Sequence, residues 1–434
     1  MSAEERTVIE IPYGERRTIS AEVPAGLVTF TGEMDTLPEV EDFAATLRAR
    51  LRAPIGTPPL AELAAGRQKV VVLVEDATRT TPVHRILPVL FDELNAAGVS
   101  DDHIEILTAP GTHRLMTDDE ILAKVGEEAL RRVRISQHDF NDEDQLVDLG
   151  AISAGEGYTI PVQVNRTAVD ADLLIGLGNI IPHCGAGYAG GAKIVQPGVC
   201  GFATTAATHV TATVLPEIPL GEVDTPCRRG MEEVARIVGL AFIVNVVQDP
   251  DHRIVEIVAG DCVEAHRAGV EVSRRAWGVR VPEPADIVVV SSYPADIEWW
   301  QGEKGLIAAY FAVKEDGVIV FATPCPEGLE HNHPRLRFWL QTTFAEGIEM
   351  IKAADPSDRE VDVIAADLGV DNAKIREKAR ILLVSDGLSD DDVELLGYER
   401  HIDLQAAVDR ALQLKPGGTI GLLPYGGDCL PVVG

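Results

Sequence analysis

The stretch KVVVLVEDATRTTPVHRILPVLFDELNAAG, residues 69–98, decides the fold. Its first part is a short β-branched run ending in an acidic residue, the pattern of a strand buried on both faces. Its second part spaces apolar residues as an amphipathic helix does, with Pro82 near the start and Gly98 near the end. HIEILTAPGTHR (103–114) repeats the strand, and TDDEILAKVGEEAL (117–130) repeats the helix with Thr117 as its N-cap. This alternation predicts a doubly wound, mostly parallel sheet that binds ligands at the carboxyl ends of its strands.

Working outward, TVIEIPYG and RTISAEVP read as two short strands joined by a turn at Tyr13-Gly14, and residues 37–53 carry apolar side chains at helical spacing. ADLLIGLGN (171–179) is a further strand that runs into the glycine-rich passage IIPHCGAGYAGGAKIVQPGVCGF. AFIVNVVQD and HRIVEIVAG resemble a hairpin, and residues 260–278 a bridging helix. From residue 280 the alternation restarts with ADIVVVSSYP, DGVIVFATPC, RILLVSDG and GTIGLLPYGG. The expected architecture is α/β in two domains, 1–275 and 276–434, meeting at the proline-rich VPEPAD. Each carries a mostly parallel sheet flanked by helices.

With 434 residues the chain exceeds one ordinary core. A formal net charge of −31 repels phosphate backbones and anionic membranes, so nucleic acid is not an expected partner. An anionic substrate therefore needs a local basic pocket, and any Arg or Lys inside a glycine-rich loop stands out. The N-terminus lacks an apolar h-region and no run of 18 apolar residues occurs, so a cytoplasmic location without membrane spanning is expected. The six cysteines are scattered, without CxxC spacing, and read as reduced thiols.

Four clusters fall where strands give way to loops. In Glu75-Asp76-Ala77-Thr78-Arg79-Thr80-Thr81-Pro82, hydroxyl side chains at a helix start suit a phosphate, although an ordinary capped helix start reads the same way. In Pro110-Gly111-Thr112-His113-Arg114, a histidine after glycine can be presented to a cleft as a proton acceptor or simply be solvated. In the passage from His183 to Gly198, glycines at 185, 187, 190, 191 and 198 let backbone approach a ligand closely, and Lys193 is the single lysine embedded among them. A desolvated lysine loses its proton readily and is a familiar point of covalent attachment. His209 follows, able to ligate a metal as a neutral imidazole or to serve as a structural helix residue. In the fourth cluster, Tyr293 to Gly305, Gln301 and Lys304 are spaced to meet one carboxylate. The plainer alternative is a helix start with Trp299 and Trp300 packed inward.

Taken in order, DxTR at Asp76–Arg79, GTHR at Gly111–Arg114, HxxxGxxGGAKxxxPG at His183–Gly198, then His209, and YPxD with QxxKG at Tyr293–Gly305 resemble the nickel-dependent lactate racemases and their hydroxy-acid racemase and epimerase relatives. The resemblance covers most of the chain and implies an active site in the cleft between the two domains. It implies an isomerase in which a nickel-pincer nucleotide, a pyridinium-3,5-bisthiocarboxylic acid mononucleotide, is joined to Lys193 and its nickel is ligated by His209. It further implies His113 and His183 as the acid–base pair, Asp76, Thr78, Arg79, Gly190 and Gly191 beside the cofactor, and Arg79, Gln301 and Lys304 on the substrate. The implied partners are a small 2-hydroxy acid and the enzymes that make the cofactor; a homo-oligomer stays open.

The chain departs from expectation for a lactate enzyme at Glu298-Trp299-Trp300, where smaller or less acidic residues would suit a methyl group. Glu298 can receive extra hydroxyls and the tryptophans can stack on an aromatic or sugar-acid tail. His331 and His333 have the look of a metal pair within a polar surface loop. Two rivals remain: a nicotinamide-dependent oxidoreductase, for which no GxGxxG turn follows the first strands, and a binding protein that retains the fold.

Overall fold

The computed structural model describes residues 5–155 and 157–434. The decisive stretch forms the strand Val70–Glu75 and the helix Val83–Ala96. That strand sits inside a six-stranded sheet whose spatial order is Ile254–Gly260, Leu240–Gln248, Leu173–Asn179, Val70–Glu75, Ile104–Ala109 and Arg134–Gln137. All neighbours are parallel except the first pair, the hairpin expected from AFIVNVVQD and HRIVEIVAG. Alternate side chains feed two separate cores. Val70, Val72 and Val74 pack under Val83–Ala96 and Phe43–Arg52. Val71 and Leu73 pack with Val234 and Ala235 of the helix Pro226–Val238. Burial on both faces is why these strands are continuously apolar.

The second sheet follows the same plan, in the order Glu399–Arg400, Ala379–Val384, Val313–Ala322, Ala285–Ser291, Ile420–Leu423 and Val28–Thr31, and is parallel throughout. Here the expected division at residues 275 and 276 needs correcting. The edge strand Val28–Thr31 pairs with Ile420–Leu423, and the hairpin Arg6–Pro12/Thr18–Pro24 buries Ile9, Ile11 and Val23 against Ile287, Val289 and Val320. The second body is therefore built from both ends of the chain. The reason is tertiary: one face of the second sheet needs an apolar cover, and the hairpin's inward side chains supply it. The joint near VPEPAD is also no free linker, because Gly278–Val281 forms a parallel pair with the C-terminal strand Leu430–Val433.

Each sheet reverses its winding between two neighbouring strands. In the first this lies between Val70–Glu75 and Leu173–Asn179; in the second, between Ala285–Ser291 and Ile420–Leu423. The carboxyl ends of strands at such a reversal leave a crevice, because the following loops part to opposite faces. The DxTR and glycine-rich loops leave the first crevice; the Tyr293–Gly305 segment and the loop at Tyr425–Asp428 leave the second. No helix among the described residues is long and apolar enough to cross a membrane.

Ile11 is fully buried in the face shared by the hairpin and the second sheet. Ile11→Ala is expected to destabilise the protein by about 2–5 kcal/mol. Urea unfolding checks the magnitude. Faster amide exchange in Ala285–Ser291 than in Val70–Glu75 would locate the damage in the second body.

Candidate active site

Asp76, the first residue past its strand, is buried and accepts two hydrogen bonds from Thr78, from the backbone N–H at 3.2 Å and from Oγ1 at 2.7 Å. Its other oxygen lies 2.8 Å from His113 Nδ1. Burial drives this carboxyl up, yet His113 and Arg79 outweigh it and hold the group well below the usual carboxylate range. A carboxylate that accepts fixes the tautomer: Nδ1 of His113 carries the proton and Nε2 carries a lone pair. That lone pair receives the Gln301 side-chain amide at 3.2 Å, and Gln301 Oε1 accepts from Lys304 Nζ at 2.6 Å. Asp76, His113, Gln301 and Lys304 thus form one chain across the cleft, half from each body. Burial pushes His113 down despite Asp76.

His183 lines the same cleft with the opposite polarity. Its Nδ1 accepts the Ala186 backbone N–H at 3.3 Å, which places the imidazole hydrogen on Nε2. Burial, then the charges of Lys193 and Lys304, drive its pKa well down, so the ring is neutral near pH 7. One histidine therefore offers a lone pair and the other an N–H. His209 makes a third arrangement. It sits on the buried helix Phe202–Thr213, and its Nδ1 lies 2.9 Å from Asp367 Oδ2, a residue of Val363–Lys378 in the second body. Thr213 Oγ1 donates to the other Asp367 oxygen. This backing carboxylate leaves His209 Nε2 as a free lone pair, the arrangement that orients metal-bound histidines.

Lys193 belongs to the short helical turn Gly191–Ile194 and lines the cleft. Burial, with Arg79 and Lys304 next, pushes its ammonium down to about 7, and Lys304 is pushed down to about 8, first by burial and then by Arg79. The loop leading to Lys193 is held from beneath by Arg228, itself fully buried, which donates to the Ala186, Tyr188 and Gly190 carbonyls. Gly190 has φ +76°, and a Cβ there would stand 2.7 Å from the Asn179 carbonyl oxygen. Gly191, expected beside a cofactor, does not line the cleft; it faces His266, whose ring would lie 2.8 Å from an added Cβ. The protein's own packing explains that glycine.

Other outcomes are mixed. Asp76, Arg79, His113, His183, Gly190, Lys193, His209, Gln301 and Lys304 converge on one cavity, and Thr78 stands at its rim against Asp76 and His113. Trp299 is wholly buried, as the plainer reading had it, whereas Trp300 lines the cleft and stacks on His333 at 4.5 Å. His331 and His333 are no metal pair. His331 bonds Glu327 at 2.7 Å, His333 is buried against Asp362 at 3.0 Å, and no group of three ligands suited to a metal occurs among the described residues. Asp367, Arg228 and the buried acids Glu303 and Asp371 escaped sequence reasoning. The two acids are pushed well above the carboxylate range, Glu303 by burial and then Asp371, Asp371 by burial and then Asp367. Inside helices they carry no local signal.

Two doubly wound bodies closing on a cleft with two oppositely polarised histidines and a desolvated lysine define an α/β cleft enzyme. Comparison with known proteins narrows this. Residues 13–220 match the lactate racemase N-terminal domain and residues 281–426 the lactate racemase C-terminal domain. The lactate racemase of Thermoanaerobacterium thermosaccharolyticum is 34% identical over 328 residues, 74% of this chain and 75% of that protein. The lactate racemase of Lactiplantibacillus plantarum is 33% identical over 330 residues, with the same coverage. The solved lactate racemase apoprotein from T. thermosaccharolyticum superposes with a TM-score of 0.86 at 29% identity, covering 98% of this chain and all of that one. A Thermotoga maritima protein of 21% identity shares the fold, with a TM-score of 0.70 over 92% of this chain and all of that one. The chain belongs to the lactate racemase family of isomerases.

A lysine is reactive only when neutral, so a lowered pKa moves reactivity to lower pH. Acylation of Lys193 in the protein without cofactor, followed by peptide mass spectrometry, is expected to reach half its maximal rate near pH 7. Exposed lysines reach theirs near pH 10; a Lys193 midpoint there would contradict the desolvated amine.

Proposed function

We propose that this chain inverts the configuration at C2 of a 2-hydroxy acid, the reaction implied for lactate by the names of its relatives, with a nickel-pincer nucleotide joined to Lys193. The observation that carries the reading is the opposed pair of histidines, His113 with a lone pair at Nε2 and His183 with a hydrogen at Nε2, in one cleft. Two enantiomers direct their hydroxyl groups differently, and a racemase needs a proton acceptor for each and a donor on return.

The residues fit the group that family membership implies. Lys193 offers an amine without a hydrogen-bond or ion-pair partner among the described residues and with a substantial neutral fraction near pH 7. His209, backed by Asp367, offers one soft imidazole nitrogen to nickel. Arg79 and the start of the helix Val83–Ala96 suit the phosphate. When bound, the group supplies an acceptor for the hydrogen that leaves C2 as hydride.

The chain's own part is binding and proton transfer. Lys304, with Gln301 beside it, binds the substrate carboxylate, and Arg79 and Lys304 make the local basic pocket that a chain of net charge −31 requires, Lys193 giving up its charge on joining the nucleotide. The substrate hydroxyl takes the place of the Gln301 amide at His113 Nε2, which accepts its proton. Asp76 steadies the imidazolium that results, as the carboxylate does in other Asp–His pairs. His183, with its hydrogen at Nε2, donates to the substrate oxygen, and it becomes the acceptor for the other enantiomer in the tautomer that carries the hydrogen on Nδ1.

Polarimetry on cofactor-loaded protein, starting from each pure lactate enantiomer, tests this reading. Decay of rotation to zero from both sides is expected. His113→Ala and His183→Ala should each lower kcat by about 10²–10⁴-fold. Loaded protein that inverts no 2-hydroxy acid, or variants that keep the full rate, would overturn it.

A further inference from the structure

A second cavity opens beyond His113 and Trp300, which line both it and the main cleft. Loops of both bodies build it. Met116 and Arg114 come from the first, and Ile297, Glu298, His331 and Asn332 from the second. Most polar groups here are already engaged: Arg114 bonds Glu120 at 2.8 Å, His331 bonds Glu327 at 2.7 Å, and Asn332 Nδ2 donates to the Thr112 carbonyl at 3.0 Å. Glu298 is the exception. Its residue is only 9% exposed, yet among the described residues no hydrogen bond reaches its carboxyl, and the nearest basic nitrogen, His331 Nε2, stands 3.7 Å away. The carboxyl lines the cavity and can accept hydrogen bonds from whatever fills it.

The helix explains what it is aimed at. Glu298 is the residue before the helix Trp299–Ala312, and positions 298, 301 and 304 follow at intervals of three. Gln301 and Lys304, one step of three within the helix, line the main cleft, whereas Glu298 precedes the helix in extended backbone and lines the second cavity. Trp300 and His113 line both, so an acid held at Lys304 and Gln301 that is long enough to pass them would bring its distal groups to Glu298. A second carboxylate would be repelled, whereas hydroxyl groups would donate.

We infer that the second cavity is a subsite for the distal chain of the substrate, that Glu298 accepts hydrogen bonds from its hydroxyl groups, and that the acid is of the polyhydroxylated sugar-acid class rather than lactate. This rests on the C2-inversion reading above.

Titration calorimetry and C2-inversion kinetics with D-gluconate, L-lactate and L-malate, on loaded protein, test it. D-gluconate is expected to exceed L-lactate in affinity and in kcat/KM by on the order of tenfold or more, and malate to be the weakest, since one buried hydrogen bond is worth about that factor. Glu298→Leu should abolish the advantage of gluconate over lactate, and the isosteric Glu298→Gln, which keeps an accepting oxygen, should retain part of it. Thermal unfolding of both variants reports on folding. Lactate inverted as well as gluconate, or a ratio unmoved in Glu298→Leu, overturns the subsite and leaves the racemase reading standing. Loaded protein that inverts none of the three acids overturns both.

Discussion

The cleft depends on a single hydrogen-bonded row that crosses it, from Asp76 through His113 and Gln301 to Lys304. Each member sets the next. Asp76 puts the proton on Nδ1 and so the lone pair on Nε2; that lone pair draws in the Gln301 amide; the amide's orientation leaves its oxygen to Lys304. Because the first two residues follow strands of one sheet and the last two lie on a helix of the other body, the row is complete only when the bodies are correctly apposed. The His209–Asp367 contact imposes the same condition on the far wall, where a residue of one body orients a residue of the other. Placement of the two sheets is thereby a chemical requirement as well as a packing one. The shared core around Phe202, Val210, Trp299, Leu306 and Ile364 meets it with apolar burial.

Charge completes the picture. The protein is strongly acidic, yet Arg79, Lys193 and Lys304 face one cavity. Burial, and then the charge of Arg79, push both lysines down, so the site trades positive charge for reactivity. Burial pushes the cavity carboxyls Glu303 and Asp371 well up, whereas His113 and Arg79 outweigh burial at Asp76 and hold it well below the usual carboxylate range.

The strands were legible in the sequence because both faces of each sheet are covered, which writes an apolar run into every central strand. The loops after them could be singled out because a doubly wound sheet puts its chemistry at those carboxyl ends. What stayed hidden had no local signature. Val28–Thr31 is four residues long and owes its place to Ile420–Leu423 at the other end of the chain. Asp367 and Arg228 lie within helices, where an acid or a base is unremarkable until its partner is known. Gly191 was read as making room for a ligand when it makes room for His266. Trp299 and Trp300, adjacent in sequence, have separate fates that helical phase decides: one is core, the other cleft wall.

We propose that Lys193 and His209 together hold the nucleotide and its nickel. Intact mass and nickel content, on protein produced with and without the cofactor-synthesising enzymes, test this. A mass increment of a sulfur-bearing mononucleotide is expected in the former alone, with its disappearance in Lys193→Ala and loss of nickel in His209→Ala. An unmodified mass without nickel in protein produced with those enzymes would contradict it.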